Sequence, residues 1–303
     1  DGPSGPWPSD PAHWLGSTVV ATVGEWVEGA RPRTLPTAVA PVLAGTGAAA
    51  GAAAFDPLAA LLALLVSVSL VVGVNYANDY SDGVRGTDDD RVGPLRLVGS
   101  GVAEPRAVRT AALACLGLGA LAGVALSLYS GHWWLILIGA ACLVGAWFYT
   151  GGSRPYGYRA LGEVAVFVFF GPVAVLGTEF VQSGRASGVG IGASVGVGLL
   201  ACAVLVANNL RDVDSDAHSG KHTLAVVLGD RDTRVLYAAL VVIPLGMTLV
   251  LSLRAWGALL GLVALALLVP GLRRVLAGAT GPRLIPVLRD TALGLLAWSA
   301  ATG

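Results

Sequence analysis

Long apolar stretches separated by short polar segments dominate the chain. A helix that crosses a bilayer needs about 20 mostly apolar residues, and nine stretches approach or exceed that length. The nine predicted spans are residues 35–54, 57–80, 106–128, 132–150, 160–182, 187–209, 233–253, 255–276 and 285–302. Their apolar positions run all round each helix, as expected for burial in lipid or in a bundle. The pattern predicts an all-α, polytopic membrane protein with nine transmembrane helices.

The composition supports this prediction. Of the 303 residues, 55% are hydrophobic and 13% are charged, and the mean hydropathy is +0.72. Soluble domains carry about 25% charged residues, so this chain has too little polar side chain to cover a water-exposed surface of its size. Nineteen basic and nineteen acidic residues cancel, which gives no electrostatic case for nucleic-acid binding. The expected surroundings are a lipid bilayer.

The basic residues predict the orientation. All but two of the nineteen lie before the first span or after an even-numbered span, and the exceptions are Arg185 and Arg254. The positive-inside rule then places the N-terminus and the even-numbered loops in the cytoplasm, with the C-terminus outside. We therefore expect a multi-pass protein of the cell membrane.

The same pattern predicts one principal domain. Residues 1–25 contain four prolines and no basic residue, and we expect them to form a flexible N-terminal segment. Residues 26–303 are expected to form the nine-helix domain. Two polar loops, near 81–105 and 210–232, are expected to cap it on the cytoplasmic side. The oligomeric state is left open by the sequence.

A first cluster of amide and carboxylate side chains closes the second predicted span. Asn75, Asn78, Asp79 and Asp82 follow the spacing i, i+3, i+4 and i+7. This spacing places them on one stripe of a helix. Ionisable residues at membrane depth are energetically expensive and usually functional. The further acidic run at 88–90 is interpreted as a solvated loop.

A second cluster closes the sixth predicted span. Asn208, Asp212 and Asp216 follow the spacing i, i+4 and i+8, which again predicts one helical stripe. Carboxylates near a helix C-terminus oppose the helix dipole, and a bound cation would offset that cost. The two clusters should lie at the same membrane face, because both follow even-numbered spans.

Two facing sets of oxygen ligands are typical of a Mg²⁺ site that binds a diphosphate. Mg²⁺ prefers carboxylates, keeps several waters and bridges proteins to substrate phosphates. Lys221 and nearby arginines such as Arg85 would neutralise the remaining phosphate charge. A departing diphosphate leaves a carbon that must tolerate positive charge, which indicates an allylic prenyl chain. A prenyl tail would also explain why the site lies at the membrane.

At these residues the chain resembles the UbiA superfamily of membrane prenyltransferases, which carries two Asp-rich motifs in a nine-helix bundle. The resemblance extends from Trp26 onward. Four further stretches are similar to the branch of 1,4-dihydroxy-2-naphthoate polyprenyltransferases of menaquinone biosynthesis: 31–36 (RPRTLP), 91–96 (RVGPLR), 149–156 (YTGGSRPY) and 220–225 (GKHTLA). One departure is that the third acidic position of the longer superfamily pattern falls on Gly86.

The resemblance implies roles for individual residues. Four aspartates would hold Mg²⁺ and act in catalysis: Asp79, Asp82, Asp212 and Asp216. The residues implied to contact metal or phosphate oxygens are Asn75, Asn78 and Lys221. The diphosphate would leave, and the naphthoate ring would attack the allylic cation. Loss of carbon dioxide from the attacked carbon would then give demethylmenaquinone.

Four residues complete the predicted substrate-binding set. Asn208 belongs to the second stripe, and Arg85 follows the first. Tyr149 could stack on the cation or the donor chain, although tyrosine is also common as an interfacial anchor. Arg154, in the same Gly-rich loop, could hold a carboxylate or a phosphate.

Three alternatives remain open from the residues alone. The acceptor could be another aromatic ring, such as hydroxybenzoate, homogentisate or a tetrapyrrole. Asp79-x-x-Asp82-Gly83 resembles the start of the CDP-alcohol phosphotransferase pattern, but the downstream stretch lacks that family's spacing. A cation transporter would also place acidic residues in membrane helices, but near the bilayer midplane rather than at one face.

Overall fold

The computed structural model describes residues 21–86, 95–253 and 256–303, and these ranges contain helices and no β-strand. The α-helices are α1 (Val23–Gly29), α2 (Leu35–Gly51), α3 (Pro57–Arg85), α4 (Pro105–Tyr129), α5 (Leu135–Phe148), α6 (Gly162–Val168), α7 (Gly177–Ser183), α8 (Gly188–Arg211), α9 (Val213–His218), α10 (Leu224–Ser252), α11 (Leu265–Leu276) and α12 (Ile285–Thr302). A π-helical segment, Phe169–Leu176, joins α6 to α7, and a 3₁₀ segment, Trp256–Ala264, precedes α11. The all-helical prediction is confirmed.

Several expectations fall on residues outside these ranges. They are most of the N-terminal segment 1–25, the acidic run at 88–90, the start of the 91–96 stretch, and Arg254. Of the predicted first cap loop, 81–105, the structure describes residues 81–86, which form the end of α3 and its cap, and residues 95–105.

Seven helical stretches in the described residues are long and apolar enough to cross a membrane. They are Pro57–Arg85, Pro105–Tyr129, Gly162–Ser183, Gly188–Arg211, Leu224–Ser252, Trp256–Leu276 and Gly281–Thr302. The predicted count of nine is not confirmed, because α2 has 17 residues and α5 has 14. At 1.5 Å per residue, α5 spans only about 21 Å of a hydrocarbon core about 30 Å thick. Many large apolar side chains are exposed on the outer helices, which fits a multi-pass membrane protein.

The second span is longer than predicted. Asp56 caps the start of α3, where its carboxylate accepts hydrogen bonds from the amides of Ala59 (3.0 Å) and Leu58 (2.9 Å). These bonds, chiefly the one from Ala59, lower the pKa of the Asp56 carboxyl. The helix continues to Arg85 and ends at Gly86, whose φ of 71° is left-handed. The whole first cluster therefore lies within α3 and shares one rigid element.

The second cluster does not form the single helical stripe that the spacing predicts. Helix α8 ends at Arg211, and Asp212 has φ −99° and ψ 7°, outside regular helix geometry. Asp216 then lies in α9, a separate helix of six residues. The predicted continuous helix through these three positions is therefore wrong, because the backbone bends at Asp212. Backbone hydrogen bonds still run from the Asp212 amide to the Asn208 carbonyl and from the Asp216 amide to the Asp212 carbonyl. Most of the second cap loop is accordingly helical, and α10 already begins at Leu224.

A tightly packed core holds the second half of the bundle together. Trp298 of α12 is fully buried and donates its indole N–H to Thr248 Oγ1 of α10 at 2.8 Å. Gly196 of α8 lies directly against the ring, and a methyl group at that position would overlap it. The missing side chain allows α8 and α12 to approach closely, as small residues do in membrane helix packing. This close packing against α12 holds α8 in position, and the C-terminal end of α8 carries the second cluster.

Candidate active site

Asp79 anchors the loop that follows α3. Its side chain is fully buried, and its two carboxylate oxygens accept hydrogen bonds from the backbone amides of Leu97 (2.8 Å) and Val98 (3.0 Å). A buried amide left without a partner costs about 1–3 kcal/mol. Asp79 therefore holds the described end of the first cap loop against the helix face that carries the cluster.

Asp82 is the centre of a charged network. The Lys221 ammonium donates to its Oδ2 at 3.2 Å, and an Arg96 guanidinium nitrogen lies 3.7 Å from the same oxygen. The Tyr158 hydroxyl donates to Oδ1. All of these groups except Tyr158 are at least nine-tenths buried. Asp82 thus joins three segments that are distant in sequence.

The remaining residues of the first cluster contact neighbouring segments. Asn75 donates through Nδ2 to the Ala30 carbonyl and to Thr34 Oγ1, both at 2.9 Å. Asn78 accepts a hydrogen bond from Thr150 Oγ1 at 2.7 Å. Asn75 therefore fixes the segment before α2, and Asn78 fixes the start of the loop after α5.

Arg85 lies one turn beyond Asp82 and holds the same loop. Its guanidinium donates to the carbonyls of Thr150 and Gly152 and lies 5.5 Å from the centre of the Tyr158 ring. This places the positive charge of Arg85 beside the Tyr158 ring, and the predicted phosphate contact of Arg85 stays a prediction.

Tyr158 belongs to the candidate site and was not predicted from the sequence. Besides its bond to Asp82, its ring lies 4.8 Å from the Lys221 ammonium, a distance at which a cation–π interaction is favourable. Its carbonyl accepts the His222 amide at 3.0 Å. The only available signal was its place in the aromatic end of the loop, Tyr156-Gly157-Tyr158, because its partners are far away in sequence.

In the same loop, Tyr149 and Tyr156 are packed against each other, whereas Arg154 is exposed. The rings of Tyr149 and Tyr156 meet edge to face at 5.5 Å. Tyr156 donates to the Gly145 carbonyl at 2.7 Å, and burial raises its pKa to about 12. Arg154 is exposed and makes no hydrogen bond or ion pair within the described part of the chain. The predicted substrate contact of Arg154 stays a prediction.

The second cluster is built around Arg211. Its guanidinium binds both oxygens of Asp212, each at 2.7 Å, and donates to Asn208 Oδ1 at 2.9 Å. Asp212 and Asp216 are both at least nine-tenths buried. The Asp216 amide donates to the Asp212 carbonyl at 2.8 Å. Arg211 therefore compensates the carboxylate charge at the end of α8.

Lys221 connects the two clusters. The Lys221 amide donates to the Asp216 carbonyl at 2.9 Å, while its ammonium reaches Asp82. Tyr149 lies within electrostatic range of both Asp82 and Asp216. Lys221 therefore brings Asp82 of the first cluster and Asp216 of the second cluster to the same region of the structure.

The chemistry of the donor set fits Mg²⁺ only if the substrate completes the site. Within the described residues, no three carboxylate, imidazole or thiolate groups lie close enough together to hold a metal ion. Mg²⁺, however, is commonly held by one or two carboxylates together with substrate phosphates and water. Carboxylate and amide oxygens beside Lys221, Arg96 and Arg85 suit such a substrate-bridged ion.

The fold and this site define a membrane enzyme of the prenyltransferase class. Residues 38–282 match the UbiA prenyltransferase family, and the chain belongs to that family. The match favours prenyl transfer over cation transport and over the CDP-alcohol phosphotransferase reaction.

Relatives of known name cover nearly the whole chain. It is 58% identical over 282 residues to 1,4-dihydroxy-2-naphthoate octaprenyltransferase of Mycobacterium tuberculosis. The aligned region covers 93% of this chain and 96% of that protein. It is 39% identical over 280 residues to the protein of the same name from Escherichia coli, and the aligned region covers 89% of this chain and 91% of that protein.

Solved structures share the fold. A UbiA homolog from Aeropyrum pernix K1 superposes with a TM-score of 0.67 at 15% identity, over 93% of this chain and 98% of that one. A UbiA homolog from Archaeoglobus fulgidus bound to GPP and Mg²⁺ superposes with a TM-score of 0.62 at 15% identity, over 92% and 99%.

Proposed function

We propose that the protein transfers a polyprenyl group from a polyprenyl diphosphate to 1,4-dihydroxy-2-naphthoate. Carbon dioxide is lost and the quinol form of demethylmenaquinone is formed, as a step of menaquinone biosynthesis. The observation that carries this proposal is the 58% identity, over almost the full length of both chains, to an enzyme named for that acceptor. The buried carboxylate and arginine clusters support it, because they suit a diphosphate beside an apolar chain.

The diphosphate is bound between the two clusters together with Mg²⁺. Asp79 and Asp82 on one side, with Asp212 and Asp216 on the other, are the proposed ligands. The homolog of similar fold bound to GPP and Mg²⁺ supports use of a divalent ion. Bound Mg²⁺ supplies positive charge that stabilises the departing diphosphate.

The chain's own cations and amides take the rest of the diphosphate charge. Lys221 and Arg85 are placed beside Asp82 and bind phosphate oxygens, while three amides orient the head group: Asn75, Asn78 and Asn208. The planar guanidinium of arginine can donate two parallel hydrogen bonds to a phosphate, whereas the lysine ammonium acts as a point charge. Arg85 and Lys221 therefore cannot replace each other in phosphate binding.

The loops over the site exclude water. Asp79 holds the described end of the first cap loop at Leu97 and Val98, and Tyr158 joins the loop after α5 to Lys221. An allylic cation reacts with water unless the aromatic ring meets it first. Holding donor and acceptor together while water is excluded therefore supplies much of the rate enhancement. Tyr149 faces the reacting region from the loop.

The proposal includes the topology. Residues 26–303 form a nine-helix domain, in which α2 and α5 are the two short crossing helices. The protein is placed in the cell membrane with its N-terminus and the site loops in the cytoplasm and its C-terminus outside. The distribution of basic residues supports this orientation.

A membrane assay with several acceptors tests the function. Membranes containing the protein are given Mg²⁺, a radiolabelled all-trans polyprenyl diphosphate and one of three acceptors: 1,4-dihydroxy-2-naphthoate, 4-hydroxybenzoate or homogentisate. The expected result is a labelled prenyl naphthoquinol, detected as the naphthoquinone after oxidation in air, from the first acceptor alone. Prenylation of another acceptor instead would overturn the proposed acceptor, and no product with any of them would overturn prenyl transfer.

A further inference from the structure

Glu163 is a buried carboxylate that the binding of the diphosphate does not use. It lies in the first turn of α6, only 8% exposed. Its Oε1 accepts a hydrogen bond from Asn209 Nδ2 at 2.9 Å. Its Oε2 is buried and has no hydrogen-bond partner in the described structure. Buried polar atoms are nearly always paired. Glu179, at the other end of the same helical span, also has an open buried oxygen, so it is the combination of the open oxygen with a place beside the candidate site that indicates a position for a donor group from outside the chain.

Glu163 lies at the edge of the proposed active site. Its partner Asn209 is adjacent to Asn208 of the second cluster. A side-chain carbon at Gly162, the preceding residue, would lie 3.2 Å from the Tyr149 hydroxyl. Tyr149 is itself within electrostatic range of Glu163 and of an aspartate from each cluster. Tyr149 therefore links Glu163 to the region where donor and acceptor would meet.

Few titratable groups face Glu163. Tyr149 approaches it from the loop after α5, and Cys202 of α8 donates its thiol to the Glu163 carbonyl at 3.1 Å. No lysine or arginine in the described residues forms an ion pair with its carboxylate. Asn209 orients the carboxylate without neutralising it, which leaves Oε2 able to accept a proton.

The proposed reaction needs a group of this kind. When the ring carbon that bears the carboxylate attacks the prenyl cation, the neighbouring hydroxyl supplies electrons and becomes strongly acidic. When carbon dioxide leaves, the electron pair of the broken carbon–carbon bond returns to the ring, and the oxygen recovers a proton. No proton is released overall. A water-shielded base beside the hydroxyl can hold the proton between the two steps.

We propose that Glu163, oriented by Asn209, binds the hydroxyl next to the attacked carbon of a dihydroxyaromatic acid. Glu163 takes that proton as the prenyl–ring carbon bond forms, while the diphosphate leaves with the carbon–oxygen bonding pair. It returns the proton as the acceptor's carboxylate carbon leaves as carbon dioxide. This inference rests on the proposed function, because it assigns the group that recognises the acceptor of that same reaction.

The test compares Glu163→Gln with the wild type on two acceptors. One is 1,4-dihydroxy-2-naphthoate, and the other is its methyl ether at the hydroxyl next to the carboxylate. Loss of a general base slows a reaction by roughly 10²–10⁴-fold. We expect Glu163→Gln to lose about 100-fold in prenyl transfer to the free hydroxyl. We also expect it to lose most of the wild-type preference for the hydroxyl over the ether, and Glu163→Asp to recover part of both.

A second readout does not depend on turnover. Equilibrium binding of the acceptor to the purified protein should weaken about tenfold in Glu163→Gln, whereas Mg²⁺-dependent binding of the prenyl diphosphate should stay within twofold and report correct folding. Glu179→Gln is the matched control, since Glu179 is a fully buried glutamate at the far end of the same helical span. Its hydroxyl preference should equal that of the wild type.

The outcomes separate the two proposals. A wild-type protein that forms the naphthoquinone, together with a Glu163→Gln variant that keeps the full hydroxyl preference, would refute the role of Glu163 alone. If the wild type prenylates a different phenol, the proposed acceptor fails, and the same comparison is made with that phenol and its methyl ether. Absence of product from the wild type with every acceptor would overturn both.

Discussion

Replacing Lys221 with alanine should weaken donor binding through the loss of one buried cation. The Lys221 ammonium lies 3.2 Å from Asp82 Oδ2 and 4.8 Å from the Tyr158 ring centre. A hydrogen bond to a charged group contributes about 1.5–3 kcal/mol. Because Asp82 keeps the Tyr158 hydroxyl and Arg96 at 3.7 Å, we expect the free energy of unfolding to fall by about 2 kcal/mol.

The effect on the donor should be of similar size. If Lys221 exchanges Asp82 for a phosphate oxygen when the donor binds, losing it costs about 1.5–3 kcal/mol, or roughly 10- to 150-fold in the Kd for prenyl diphosphate. Lys221→Arg keeps the charge and should lose less than Lys221→Ala. Equilibrium binding of labelled donor with Mg²⁺, alongside thermal unfolding in detergent, measures both. An alanine variant with lower stability but unchanged donor affinity would refute the phosphate contact.

Three further outcomes are expected. Asp79→Ala should abolish transfer and lower the free energy of unfolding by about 2–5 kcal/mol, because two buried amides lose their acceptor; thermal unfolding and product formation measure this. Gly196→Ala should lower the melting temperature by several degrees through overlap with Trp298, whereas Gly246→Ala, where the space is open, should not. Chelation with EDTA should stop product formation, and added Mg²⁺ should restore it; activity that survives chelation would contradict metal dependence.

The helices were predictable because lipid burial imposes long apolar runs, but their ends were not. Helix α3 continues five residues past its predicted end at 80. Its last turns carry polar side chains that find partners in other segments. Hydropathy detects where a chain meets lipid, and it does not detect where backbone hydrogen bonding stops. The same limit explains why α5 is shorter than its predicted span.

The residues of the first cluster were predictable from helical spacing, but their partners were not. A stripe at i, i+4 and i+7 necessarily shares one face of α3. That Asp79 accepts two amides from the loop 18 residues later depends on how the loop folds back. In the second cluster the spacing did not reveal that the helix is interrupted, because the backbone bends at Asp212. Spacing predicts a face only while the helix continues.

Tyr158 and Arg96 show what a local pattern leaves out. Tyr158 reaches Asp82 across 76 residues, and Arg96 reaches it from the cap loop. Neither belongs to a periodic stripe, so no spacing argument selects them. Their importance follows from tertiary contacts alone. Variants of Tyr158 therefore deserve the same kinetic analysis as those of the aspartates.

The most direct test of the account compares Asp212→Ala with Asp214→Ala. The two aspartates are two positions apart, but Asp212 is buried in the second cluster and Asp214 is exposed on α9. The measurement is formation of labelled demethylmenaquinone from polyprenyl diphosphate and 1,4-dihydroxy-2-naphthoate in membranes with Mg²⁺, normalised to folded protein. We expect Asp212→Ala to lose at least 100-fold in product formation, while Asp214→Ala stays within about twofold of the wild type. Equal activity of the two variants would contradict it.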